Sequence, residues 1–143
     1  MYLLSFNYMD KIDLGKIEKI LKKEKQILFA YYFGSVVKRN KNQNDLDIAV
    51  MLKKEMHGLD KLEFINKLSG ELESIVNLPL DIVILNSASI ALKQQVVKYG
   101  RLIFQQKKGL AQKFVLKVIT EYFDYLQLLS FFRSRAVRGK YGR

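Results

Sequence analysis

Cysteine is absent from this chain, proline occurs once, at Pro79, and histidine once, at His57. Without cysteine there is no disulfide and no thiolate zinc site. One histidine cannot supply the paired histidines of a zinc-protease helix or a convincing Ser-His-Asp constellation. Acidic residues are also scarce, 14 against 25 Lys and Arg, leaving a net charge of +11. That excess favours polyanionic partners: nucleic acid, nucleotide phosphates or an acidic protein. No apolar stretch approaches the roughly 18 residues of a membrane span. The apolar start, Met1 to Tyr8, is short and soon followed by acid, unlike a secretory signal. A soluble, cytoplasmic protein is expected, and the lack of cysteine fits a reducing compartment.

What is present is a hydrophobic fraction of 49% in 143 residues, enough for one domain with a packed core. Asp13 is placed to cap a helix running to about Lys25, with Ile17, Ile20 and Leu21 on one face. Gln26 to Phe33 is a short apolar run, read as a buried strand, and Asp45 to Leu52 is a second. Residues 58 to 77 carry an apolar stripe at helical spacing, stopped by Asn77-Leu78-Pro79. Leu80 to Leu85 reads as a third strand, with Asp81 as an acid buried in an apolar run. Ser87 or Ser89 caps a helix to about Tyr99, and Gly100 looks like the residue just past its end. Arg101 to Gln105 is a fourth strand or a connector. From about 109 to 136 the pattern is helical, followed by a basic tail, 137–143. The order implies an α/β or α+β fold: a small mixed sheet with flanking helices, in a single domain whose core spans about 13–105.

The densest chemistry lies between the first two strands. Gly34 lets the backbone approach a phosphate closely, and Ser35 offers a hydroxyl and an N–H. Asp45 and Asp47, two apart on a strand, share a face. Side-by-side carboxylates suit a divalent cation, and Mg²⁺ is typically held by one or two carboxylates plus substrate phosphates. If the third strand lies beside the second, Asp81 joins them. Three converging carboxylates can hold two cations for an in-line displacement at phosphorus.

Gly34-Ser35, an interval, Asp45-x-Asp47 and Asp81 in a Leu-Asp-Ile-Val strand together resemble the signature of polymerase-β-type nucleotidyltransferases. The small size resembles the minimal, MNT type. The resemblance implies a nucleotidyltransferase fold and an antitoxin that transfers AMP from ATP to a hydroxyl, that of a tyrosine, on a HEPN-domain ribonuclease toxin. It implies that Gly34, Ser35, Lys38 and Arg39 meet the nucleotide. Asp45, Asp47 and Asp81 would then be the catalytic, metal-binding carboxylates, with two Mg²⁺ ions. Two positions depart from the family pattern: Asn44 where Ser is common, and Lys38 where Arg is common. Lys38 meets a phosphate as a point charge without the bidentate fork. His57-Gly58-Leu59 does not supply the HEPN ribonuclease motif, so the chain is not the toxin half.

Two other functions remain open on sequence alone. One is a non-catalytic antitoxin that neutralises by binding; the other is a transferase acting on RNA ends or a small molecule. The aromatics Tyr122, Phe123, Tyr125, Phe131 and Phe132 fall at helical spacing and are read as core or helix interface rather than a base-stacking platform.

Overall fold

The computed structural model describes residues 13–33 and 46–141. Helix α1 (Leu14–Lys23) begins where Asp13 Oδ1 accepts the Lys16 N–H at 3.2 Å. It buries Ile17 and Leu21 and leaves its lysines to solvent. Strands β1 (Ile27–Phe33) and β2 (Leu46–Leu52) follow, then helix α2 (Gly58–Val76). The α2 stop is Asn77, which adopts a left-handed φ of 53° and donates its N–H to Glu73 O at 3.0 Å. Strand β3 (Leu80–Ile84) gives way to a single 3₁₀ turn, Leu85–Ser87. Helix α3 (Ile90–Tyr99), strand β4 (Arg101–Gln105) and helix α4 (Leu110–Tyr141) complete the described chain.

The four strands form one mixed sheet in the order β3-β2-β1-β4. β1 runs antiparallel to both β2 and β4, and β2 runs parallel to β3. Side-chain alternation divides the core between two faces. On one face Ile48, Val50 and Leu52 of β2 meet Ile17, Leu21, Leu68 and Leu72 of α1 and α2. On the other, Phe29 and Ala49 meet Val96 of α3 and Ala111, Phe114 and Val118 of α4. The central strands are covered on both sides, which is why they read as continuous apolar runs rather than alternating ones.

Five expectations are corrected or resolved. Ser89, not Ser87, caps α3: its Oγ accepts the Leu92 N–H at 3.2 Å. Gly100 follows α3 with φ −71°, so positive φ is not the reason for glycine. A Cβ there would sit 2.4 Å from Val96 O, so close approach is. Arg101–Gln105 is a true strand, paired to β1. The last helix does not end near 136; it continues to Tyr141 and takes in most of the expected tail. Of the aromatics read as core or helix interface, Phe123, Phe131 and Phe132 are not core, being exposed by 61%, 50% and 59%, which leaves the interface reading. Among the described residues no helix is long and apolar enough to cross a membrane.

Candidate active site

The site is built at the start of the parallel β2–β3 pair. The Leu46 N–H donates to Pro79 O at 3.0 Å, so proline, which has no N–H, enters the ladder through its carbonyl. That bond aligns Leu46 with Leu80 and, one step on, Asp47 with Asp81. Leu46, Leu80 and Ile84 belong to the core under α1 and α2. By alternation Asp47 and Asp81 therefore lie on the opposite face, the one that carries α3 and α4. Neighbouring strands are about 4.8 Å apart, so two acids in register are adjacent on that face. On the other side of Asp47, its partner in β1 is Phe33.

The two acids differ in environment. Asp47 is 4% exposed, the one buried charged side chain among the described residues. Asp81 is exposed. The expectation of a buried acid at Asp81 is thus corrected: the buried one is Asp47. Asp81 is the second residue of an edge strand and has a neighbouring strand on one side only, whereas Asp47 lies between two strands. A buried carboxylate is costly unless a partner or cation compensates it. A donor set of adjacent oxygen ligands is the chemistry that a hard divalent cation takes.

Gly34, Ser35, Lys38, Arg39 and Asp45 lie outside the described residues. The chain leaves β1 after Phe33 and re-enters β2 at Leu46, and Phe33 pairs with Asp47. The interval that holds those five residues thus starts and ends at the corner of the sheet where Asp47 and Asp81 stand. Among the described residues no group of three or more His, Asp or Glu gathers to hold a metal. The described structure brings together two of the three expected carboxylates.

One structural residue escaped the sequence reading. Asn86 lies just past β3 and extends the parallel pair with its side chain. Its Oδ1 accepts the Leu52 N–H at 2.8 Å and its Nδ2 donates to Leu52 O at 2.9 Å. Asn86 thereby pins the far end of the β2–β3 pair whose near end carries the two acids. Nothing in an isolated Leu-Asn-Ser stretch signals this. A cavity of about 380 Å³ opens at that far end, against Met51, Asn86, Phe114 and Lys117, away from the acids.

Comparison with known proteins shows the family and the fold. Residues 15–109 match the family described as Polymerase beta, Nucleotidyltransferase. The protein adenylyltransferase MntA of Shewanella oneidensis is 32% identical over 116 residues, 80% of each chain. A chain in the crystal structure of a toxin–antitoxin with AMP-PNP superposes with a TM-score of 0.66 at 28% identity, covering 92% of this chain and 100% of that one. A chain in the structure of a tri-AMPylated Shewanella oneidensis HEPN toxin in complex with MNT antitoxin gives a TM-score of 0.63 at 28% identity, covering 90% and 96%.

Proposed function

Because the chain belongs to the polymerase-β nucleotidyltransferase family, we propose that it transfers AMP from ATP to a hydroxyl of a cognate HEPN-domain toxin and so acts as its antitoxin. The observation that carries this reading is the Asp47–Asp81 pair at the start of β2 and β3. The relatives named above, an adenylyltransferase and structures with AMP-PNP and an AMPylated toxin, support the choice of nucleotide and acceptor.

In the transfer, the acceptor oxygen attacks the α-phosphorus of ATP. A new phosphorus–oxygen bond forms, the bond to the bridging oxygen of the β-phosphate breaks, and pyrophosphate leaves. The hydroxyl proton passes to a nearby carboxylate, for which exposed Asp81 is the better placed, and then to solvent. Asp45, Asp47 and Asp81 would hold Mg²⁺, which when bound neutralises phosphate charge and lowers the pKa of the attacking hydroxyl. Gly34 and Ser35, with Lys38 and Arg39, would receive the triphosphate through backbone N–H, hydroxyl and cationic groups. A tyrosine is the proposed acceptor and the cytoplasm, where ATP is available, the proposed location. Catalysis on this scheme rests on positioning and charge neutralisation.

The test is incubation of the chain with labelled ATP, Mg²⁺ and its cognate HEPN toxin. Label on the partner, lost in Asp47→Asn, supports the reading; an unlabelled partner sinks it. A purely binding antitoxin is the second reading, favoured by the exposed aromatics of α4. It predicts toxin neutralisation that survives Asp47→Asn.

A further inference from the structure

Helix α4 outruns the sheet on which it packs. Its 32 residues span about 48 Å at 1.5 Å per residue. Only the first turns are anchored, through Ala111, Phe114 and Val118. Beyond them, between Tyr122 and Phe132, the polar residues are Asp124, Gln127 and Ser130 alone. Phe123, Tyr125, Leu126 and Leu128 are exposed by 61%, 36%, 41% and 53%. A helix that is apolar around most of its circumference is stable in water only when something covers it. A continuous apolar surface of this kind marks an interaction site.

The spacing says how it is covered. Leu116, Ile119, Phe123 and Leu126 follow one another at three, four and three residues, the seam that packs against another helix. All four are exposed, and they lie roughly opposite Phe114 and Val118, which face the sheet.

The charge says what covers it. After Asp124 the helix carries Arg133, Arg135, Arg138 and Lys140 and no acid. Arg135 stacks its guanidinium over Phe131 at 4.9 Å, which joins the basic end to the apolar face. A second copy would bring another chain of net charge +11 against this one, with Glu121 and Asp124 as the sole acids on the helix to meet it. Like charges set together oppose such an encounter, and an acidic partner is steered toward it.

We infer that the projecting half of α4 is the docking element for the acceptor protein, which presents a helical, apolar groove edged by carboxylates. The inference rests on the proposed transfer to a protein acceptor and adds the surface that recognises it. The acceptor is held on one face of α4 while Asp47 and Asp81 stand on the sheet face that α3 and α4 cover. Docking supplies affinity, and the sheet corner supplies the chemistry.

The experiment uses the full chain and the separately purified cognate HEPN toxin. Both side chains in the variant Phe123→Glu/Leu126→Glu are solvent-exposed, so its thermal midpoint and its binding of an ATP analogue stay at parental values. Its affinity for the partner, measured by calorimetry, falls by 100-fold or more. Arg133→Glu/Arg138→Glu slows association about tenfold at low salt and flattens its salt dependence. Parental partner affinity in the Phe123/Leu126 variant overturns the docking inference and leaves AMP transfer standing. Variant-sensitive binding without AMP transfer by the parent upholds docking and sinks the transfer reading. Three other outcomes overturn the inference: no complex with the parent, a parental homodimer that the apolar variant dissociates while partner binding persists, or RNA binding that alone responds to the arginine changes.

Discussion

Asp47 and Asp81 are register partners across the parallel strands β2 and β3, yet one is 4% exposed and the other open to solvent. The pairing puts two carboxylates on one face of the sheet. The asymmetry follows from position: Asp47 lies between two strands, and Asp81 lies on the edge strand.

Asp81→Asn therefore leaves the fold intact and stops the reaction. Its unfolding free energy stays within about 0.5 kcal/mol of the parent, the usual range for an exposed substitution. Its transfer rate falls by about 100-fold or more, the scale for removing one positioned electrostatic group. Chemical denaturation and a single-turnover assay check the two halves separately.

Asn86→Ala removes both side-chain bonds to the Leu52 backbone. Unsatisfied, part-buried backbone groups cost about 1–3 kcal/mol. Urea denaturation is expected to show that loss, with the slope unchanged. Amide exchange at Leu52 is expected to accelerate.

Gly100→Ala forces a Cβ against the Val96 carbonyl, 2.4 Å away in the present backbone. The turn between α3 and β4 must open, at a cost of about 1–3 kcal/mol, as for other overpacked sites. A variant as stable as the parent would show that the close approach is not required.

Tyr31 is buried, and desolvation raises its hydroxyl pKa above the ordinary 10.0. The folded state then holds its proton at a pH where the unfolded state has lost it. Stability is accordingly constant below pH 10.0 for this group and falls as pH rises from there through the folded value. Tyr31→Phe is expected to weaken that alkaline decline. Denaturation across the alkaline range, beside an ultraviolet titration of tyrosine, measures it.

The strands were legible because Ile27–Phe33 and Leu46–Leu52 are short apolar runs bounded by polar segments, and the sheet buries both of their faces. The Asp13 cap and the Asn77 stop were legible because capping chemistry is local. Register was not, since it depends on a backbone bond between Leu46 and Pro79, 33 positions apart. Without register, the juxtaposition of Asp47 and Asp81 could be expected only on the condition that the third strand lies beside the second, and which of the two is buried could not be read. The exposure of Phe123 and its neighbours was illegible for a related reason. A heptad seam looks the same in sequence whether its partner is the protein's own core or another protein. Gly34, Ser35, Lys38, Arg39 and Asp45 remain readings of the sequence and of the family's pattern.

The central claim is that the Asp47–Asp81 pair transfers AMP to a protein partner. The most direct measurement is label transfer from α-labelled ATP, with Mg²⁺, to a cognate HEPN toxin. It compares the parent with Asp47→Asn and includes intact mass of the partner. The account predicts a gain of whole AMP units with the parent and none with the variant, while both still bind the partner. Equal labelling by the parent and the variant, or no AMP on the partner with either, would contradict it.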